Sequence, residues 1–292
     1  MQNGHDAHGN KGSVPRNLRK GIYILPNLFT LAALFGGFYA IVMAMNGQFE
    51  AAAVGVFCAM VLDSLDGRVA RMTHTQSAFG EQMDSLSDMV SFGAAPALIA
   101  YEWALRPLGR WGWIAAFVYC SCAALRLARF NVNTGVVDKR YFQGMPSPAA
   151  AALVAGFIWL TSALMVSHRD VPIFGEVISW FGGTPTDRAD LSWIMFALTL
   201  FAGLTMVTNV PYYSFKDFGG RKSVPFIFLV VIALIIGVIS IEPATMLFLI
   251  FVAYSISGYV VYVWRRSQGH QVSIVATSKD EPDERGLHHD DE

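Results

Sequence analysis

Asp63, Asp66, Asp84 and Asp88 stand within and just beyond apolar sequence of the kind that enters a bilayer. A charged side chain inside a membrane span costs roughly 3 kcal/mol or more, so four of them need a chemical reason. Residues three, four and seven apart share one face of a helix. Asp63, Asp66, Gly67 and Ala70 therefore fall on one stripe, and Gly80, Asp84 and Asp88 on another. The stretch 72–77 between them is short and polar, which returns the second helix antiparallel to the first and lets the four carboxylates face one another. Such a group must be protonated, paired with bases or bound to cations. Arg68 and Arg71 offset only part of its charge. Oxygen-only ligands suit hard ions such as Mg²⁺, Mn²⁺ or Ca²⁺. Two ions clamped by carboxylates match the arrangement used for phosphoryl transfer. Gly67, Ala70 and Gly80 would leave room for a bulky ligand beside the ions; close helix packing is the other reading of such small residues.

The elements that must carry these residues follow from the composition. Of 292 residues, 54% are hydrophobic and 15% charged, and the mean hydropathy is +0.42. Soluble domains carry about 25% charged residues, so this chain has little water-facing surface. Apolar runs of about 20 residues, the length that crosses a hydrocarbon core as a helix, occur roughly at 22–45, 49–70, 82–104, 111–130, 146–166, 191–212, 224–241 and 243–264. The expected fold is an all-α polytopic membrane bundle of about eight transmembrane helices. The segment 171–183 is apolar but short and fits an interfacial position. Three regions are expected: a polar N-terminal tail at 1–21, a membrane domain at 22–266 and a disordered C-terminal tail at 267–292. The tails are polar and cannot bury a core.

Lys and Arg crowd one set of connections. Lys11, Arg16, Arg19 and Lys20 precede the first span, Arg68, Arg71 and His74 lie around the second connection, and Arg129, Lys139 and Arg140 around the fourth. Lys216, Arg221 and Lys222 lie in the sixth connection, and Arg265 and Arg266 follow the last span. With eight spans all of these fall on one side, which the positive-inside rule makes cytoplasmic, with both termini inside. Arg106, Arg110, Arg169 and Arg188 fall opposite. Cys58, Cys120 and Cys122 lie inside apolar runs and read as small buried hydrophobes, not as a disulfide or zinc framework. The N-terminus lacks the pattern of a cleaved signal peptide. No nucleic-acid partner is expected.

The string from Asp63 to Asp88 resembles the motif of the CDP-alcohol phosphotransferase family, D-x2-D-G-x2-A-R-x8-G-x3-D-x3-D. All eight fixed positions match: Asp63, Asp66, Gly67, Ala70, Arg71, Gly80, Asp84 and Asp88. LPNLFT at 25–30, DSLSDMVSFGAAP at 84–96, ALRLARFN at 124–131, FQGMPSP at 142–148 and PYYSFK at 211–216 are similar to the phosphatidylserine synthase branch. The resemblance implies transfer of the phosphatidyl group from CDP-diacylglycerol to L-serine, giving phosphatidylserine and CMP, at the inner membrane with the site facing the cytoplasm. It also implies two divalent cations, Mg²⁺ or Mn²⁺, and partners that include membrane lipids and, because the family is commonly dimeric, a second copy of the chain.

Carried onto these positions, the family pattern makes Asp63, Asp66, Asp84 and Asp88 metal ligands, with Asp88 also the general base. Asn27, Asp66, Gly67, Ala70, Arg71 and Gly80 would hold CDP; a helix cap is the plain reading of Asn27. A serine carboxylate or a lipid phosphate calls for Arg. Arg126 and Arg129, three apart on one helix face, are the candidates, with Asn131, Ser91 and Lys216 beside them. Headgroup snorkelling is their alternative role. Two rivals stay open. Another acceptor alcohol (choline, inositol phosphate, glycerol phosphate) would leave the aspartates unchanged. An ion-coupled transporter would use the acids as a relay, though the two helix-spaced pairs are denser than a relay needs and no internal repeat is evident.

Overall fold

The computed structural model describes residues 16–73, 75, 77–132, 141–167, 191–213 and 226–267. Helix α1 (Arg16–Met45) starts six residues before the expected first span. It ends in a Schellman turn: Gly47 adopts φ +74°, its N–H donates to Ala44, and the N–H of Gln48 donates to Met43 at 2.9 Å. Helix α2 (Phe49–Thr73) runs back along α1. The pair is close because each helix offers two small residues four apart. Gly36 and Ala40 meet Gly55 and Ala59, and a Cβ on Gly36 would stand 3.2 Å from both the Gly55 carbonyl and the Ala59 methyl.

The third expected span, 82–104, is longer and less regular than a single α-helix. It comprises α3 (Ala78–Asp88), a π-helical turn (Met89–Ala94), α4 (Ala95–Ala100), a second π-helical turn (Tyr101–Leu105) and a 3₁₀ turn (Arg106–Leu108). Pro96 explains part of this, since it has no N–H to return to the Phe92 carbonyl four residues earlier. The Tyr119 hydroxyl donates to that carbonyl instead, at 3.1 Å. The first π turn directly follows Asp88, and such turns recur at functional sites.

Helix α5 (Arg110–Val132) packs on α7 (Ser192–Val207), and α6 (Ser147–Ser167) is the central helix, with Ala150, Ala151, Ala152 and Ala155 fully buried. Helices α8 (Phe226–Ile241) and α9 (Pro243–Ser267) close the described chain. One small pairing interrupts the helices: β1 (Tyr141–Gln143) runs antiparallel to β2 (Pro211–Tyr213), with Phe142 opposite Tyr212. The sixth expected span therefore stops at Val207, where Thr208 turns extended.

Among the described residues, four helices are long and apolar enough to cross a membrane: Pro26–Met45, Arg110–Val132, Ser147–Leu164 and Pro243–Ser267. Ser192–Val207 is apolar but shorter. The architecture is an all-α bundle of membrane character. The segment 171–183, residues 1–15 of the N-terminal tail and residues 268–292 of the C-terminal tail lie outside the described residues, while 16–21 form the first turns of α1.

Candidate active site

The acidic residues come from two helices that both lean on α1. Asp63 and Asp66 occupy the C-terminal half of α2, and Asp84 and Asp88 occupy α3. Ser77 starts α3 as its N-cap and accepts from the Gly80 N–H at 3.0 Å. Two serines then dock α3 on α1: the Ser87 hydroxyl donates to the Thr30 carbonyl and the Ser91 hydroxyl to the Ala33 carbonyl, both at 3.1 Å. Gly37 permits this approach, because a Cβ there would lie 2.6 Å from the Cα of Ser91.

One carboxylate oxygen from each of Asp63, Asp66 and Asp84 lies within 4.8 Å of the others. Asp88 stands beside Asp63. Asp66 is buried and the other three are half-buried. Charged carboxylates at this spacing repel by about 3 kcal/mol per pair at an effective dielectric constant near 20. Arg71 lies near Asp66 and Arg126 near Asp88. Among the described residues, however, no Lys or Arg forms an ion pair with any of the four, the one such pair being Arg106 with Glu102. One oxygen each of Asp84 and Asp88 is buried without a hydrogen-bond donor. An orphaned buried carboxylate oxygen needs a proton or a cation. All the clustered donors are hard oxygens, the ligand type of Mg²⁺, Mn²⁺ and Ca²⁺, and a small side-chain rotation would let them converge on one ion. The residues present therefore fit a hard divalent cation.

A cavity of about 880 Å³ opens beside the acids. It is lined by all six residues expected at a CDP site, Asn27, Asp66, Gly67, Ala70, Arg71 and Gly80, and also by Asp84. That volume suits a nucleotide-sized ligand. Gly67 separates the two readings of the small residues. A Cβ there would meet only the tip of Arg71, at 3.5 Å, so helix packing does not require glycine, and the residue lines the open cavity. At Gly80 a Cβ would meet the Asn27 Oδ1 and the Ser77 Oγ, both at 3.2 Å, so the Asn27 amide faces the cavity wall.

The residues expected around the acceptor are dispersed. Arg126 donates from one terminal nitrogen to Ser147 at 2.9 Å, while its Nε is buried without a partner. Arg129 is turned elsewhere, donating to the Val207 carbonyl at 3.2 Å and to the Asn209 Oδ1 at 2.8 Å. Gln143 donates to the same Asn209 oxygen, so Arg129 ties the end of α7 to the strand pair. The Asn131 amide donates to Ser85 at 3.0 Å. The Ser91 hydroxyl is committed to α1, and Lys216 lies outside the described residues.

Thr30 is a further residue at the site, absent from the sequence motif: its buried hydroxyl donates to the Asp66 Oδ2 at 2.8 Å. Its spacing of three from Asn27 put both on one face of α1 and was the available signal. Ser77 was legible as a Ser opening an amphipathic stretch. Ser147 and Asn209, the partners of the two arginines, carried no local signal.

A family model described as CDP-alcohol phosphatidyltransferase matches residues 23–205, from α1 into α7. The chain is 41% identical over 177 residues to the CDP-diacylglycerol–serine O-phosphatidyltransferase of Helicobacter pylori strain J99, a match covering 53% of this chain and 75% of that protein. The protein of the same name from Methanocaldococcus jannaschii is 32% identical over 206 residues, covering 70% and 82%. The one from Saccharomyces cerevisiae is 37% identical over 179 residues, covering 56% and 62%.

Proposed function

The chain belongs to the CDP-alcohol phosphatidyltransferase family, and from that premise we propose that it transfers the phosphatidyl group of CDP-diacylglycerol to the hydroxyl of L-serine, giving phosphatidylserine and CMP. The observation that carries this reading is the meeting of the acidic cluster with the cavity lined by Asn27, Gly67, Ala70, Arg71 and Gly80. The serine synthase names of relatives at 32–41% identity support the acceptor.

Asp63, Asp66, Asp84 and Asp88 would hold two divalent cations, Mg²⁺ or Mn²⁺. Such ions supply positive charge to the diphosphate and steady the entering and leaving oxygens. The cavity takes the CDP part, with Arg71 and Asn27 offering donors to phosphate and Gly67, Ala70 and Gly80 leaving room for it. Asp88 accepts the proton of the serine hydroxyl as that oxygen bonds to the phosphorus bearing diacylglycerol. The bond from this phosphorus to the CMP oxygen breaks, so no protein nucleophile is needed. Arg126 would receive the serine carboxylate, a role supported by its unpartnered Nε and its proximity to Asp88. The eight-span topology, with cytoplasmic termini at the inner membrane, rests on the distribution of Lys and Arg.

The test is CMP release by purified protein in lipid nanodiscs. CDP-diacylglycerol, Mg²⁺ or Mn²⁺ and one alcohol at a time (serine, choline, inositol phosphate or glycerol phosphate) are supplied. CMP should appear with serine and only with a divalent ion. Release with another alcohol alone would reassign the acceptor, and no CMP under any condition would remove the enzymatic reading.

A further inference from the structure

Neither α2 nor α3 settles by itself how far apart the two acid pairs stand, because each packs on α1 more than on the other. Both meet α1 at one buried residue. The Thr30 hydroxyl donates to the Asp66 Oδ2 at 2.8 Å, and the Thr30 carbonyl accepts from the Ser87 hydroxyl of α3 at 3.1 Å. Ser87 lies three residues after Asp84 and one before Asp88. The same Thr30 hydroxyl also lies 3.2 Å from the Pro26 carbonyl, one turn back on α1. It has a single proton, and the shorter, charge-assisted bond to the carboxylate claims it.

We infer that Thr30 is a positioning residue for the acidic site. Its side chain fixes the Asp66 carboxylate while its backbone holds the helix of Asp84 and Asp88 at the same level. The inference rests on the reading of that cluster as a cation site. With one Asp66 oxygen held by Thr30, the carboxylate cannot rotate freely and its orientation toward Asp63 and Asp84 is set. Hydrogen bonds that orient metal ligands in this way typically change metal affinity by about 10- to 100-fold when removed. Valine has nearly the shape of threonine without the hydroxyl, whereas serine keeps the hydroxyl without the methyl.

The experiment titrates purified protein with Mn²⁺ in the absence of substrate, reading free Mn²⁺ by its paramagnetic resonance. Wild type, Thr30→Val and Thr30→Ser are compared. Thr30→Val should weaken Mn²⁺ binding roughly tenfold or more, with Thr30→Ser near wild type. If wild type binds Mn²⁺ and Thr30→Val binds it equally well, or Thr30→Ser is as weak as Thr30→Val, the role of Thr30 is wrong and the cation reading stands. If wild type itself binds no Mn²⁺, the cation reading falls, and this inference with it. Should Thr30→Val fail to give a monodisperse protein, Thr30→Ala takes its place under the same criteria.

Discussion

On the proposed reaction Asp88 and Arg126 are the side chains on which acceptor chemistry would turn, and the two arginines three residues apart on α5 have separate partners. Arg126 keeps one buried nitrogen free of protein partners near Asp88, while Arg129 spends its donors on Val207 and Asn209. Arg126→Ala should therefore raise the KM for serine about tenfold or more, the cost of a hydrogen bond to a charged group. Arg129→Ala should leave that KM near normal and lower the thermal midpoint, losing about 1–2 kcal/mol with its bonds to the end of α7. Steady-state kinetics and thermal unfolding of both variants check this, and equal effects on serine KM would rejoin the pair. Asp88→Asn keeps the shape but cannot take a proton. Its rate of CMP release should fall by about 10²- to 10⁴-fold while CDP-diacylglycerol still binds; a variant keeping a tenth of the wild-type rate would remove the base role. The aspartates were legible in the sequence because cost and spacing marked them. The division between the arginines was not, since Ser147 lies 21 residues from Arg126 and Asn209 lies 80 from Arg129.

The elements place these side chains through close helix approaches, and glycine has a different meaning at Gly37 and at Gly67. Gly37 lets the π turn after Asp88 press on α1, where a Cβ would come 2.6 Å from the Ser91 backbone. Gly37→Ala should thus push α1 and α3 apart, costing about 1–3 kcal/mol as overpacking does, with a lower thermal midpoint and weaker CDP-diacylglycerol binding together. Gly67→Ala meets no backbone. It should keep the wild-type midpoint and weaken CDP-diacylglycerol binding alone, because the methyl enters the cavity. Measuring midpoint and ligand affinity for both separates packing glycines from ligand glycines; a Gly67→Ala protein that binds normally would return that residue to packing. The α1–α2 hairpin was legible from two apolar runs joined by Asn46 and Gly47. The π turns were not. The first of them contains the Phe92 carbonyl that Pro96 cannot serve and Tyr119 does, a contact across 27 residues.

At the scale of the whole molecule, the acidic cluster marks one end of the bundle and the turns at Gly47 and Gly109 mark the other. From Thr30 to Met45, α1 rises about 22 Å, most of a hydrocarbon core of about 30 Å. Among the described residues, fewer helices than expected satisfy length and apolarity. The end of α2 is diluted by Asp63, Asp66, Arg68 and Arg71, the third rod is broken by π turns, and α7 has 16 residues, about 24 Å. A polar site does not need to cross the membrane fully; it needs to meet water on the side that supplies serine. On the proposed topology, the excess of Lys and Arg near the acidic end would put that side in the cytoplasm. With Cys58, Cys120 and Cys122 replaced by serine or alanine, single cysteines at exposed positions report the orientation. Asn46→Cys and Arg110→Cys should react with a membrane-impermeant maleimide from outside intact spheroplasts. Met72→Cys, 81% exposed before substitution at the acidic end, should react only once the membrane is broken. The opposite labelling pattern would turn the molecule over, placing the acids and the cavity on the outer side, away from cytoplasmic serine.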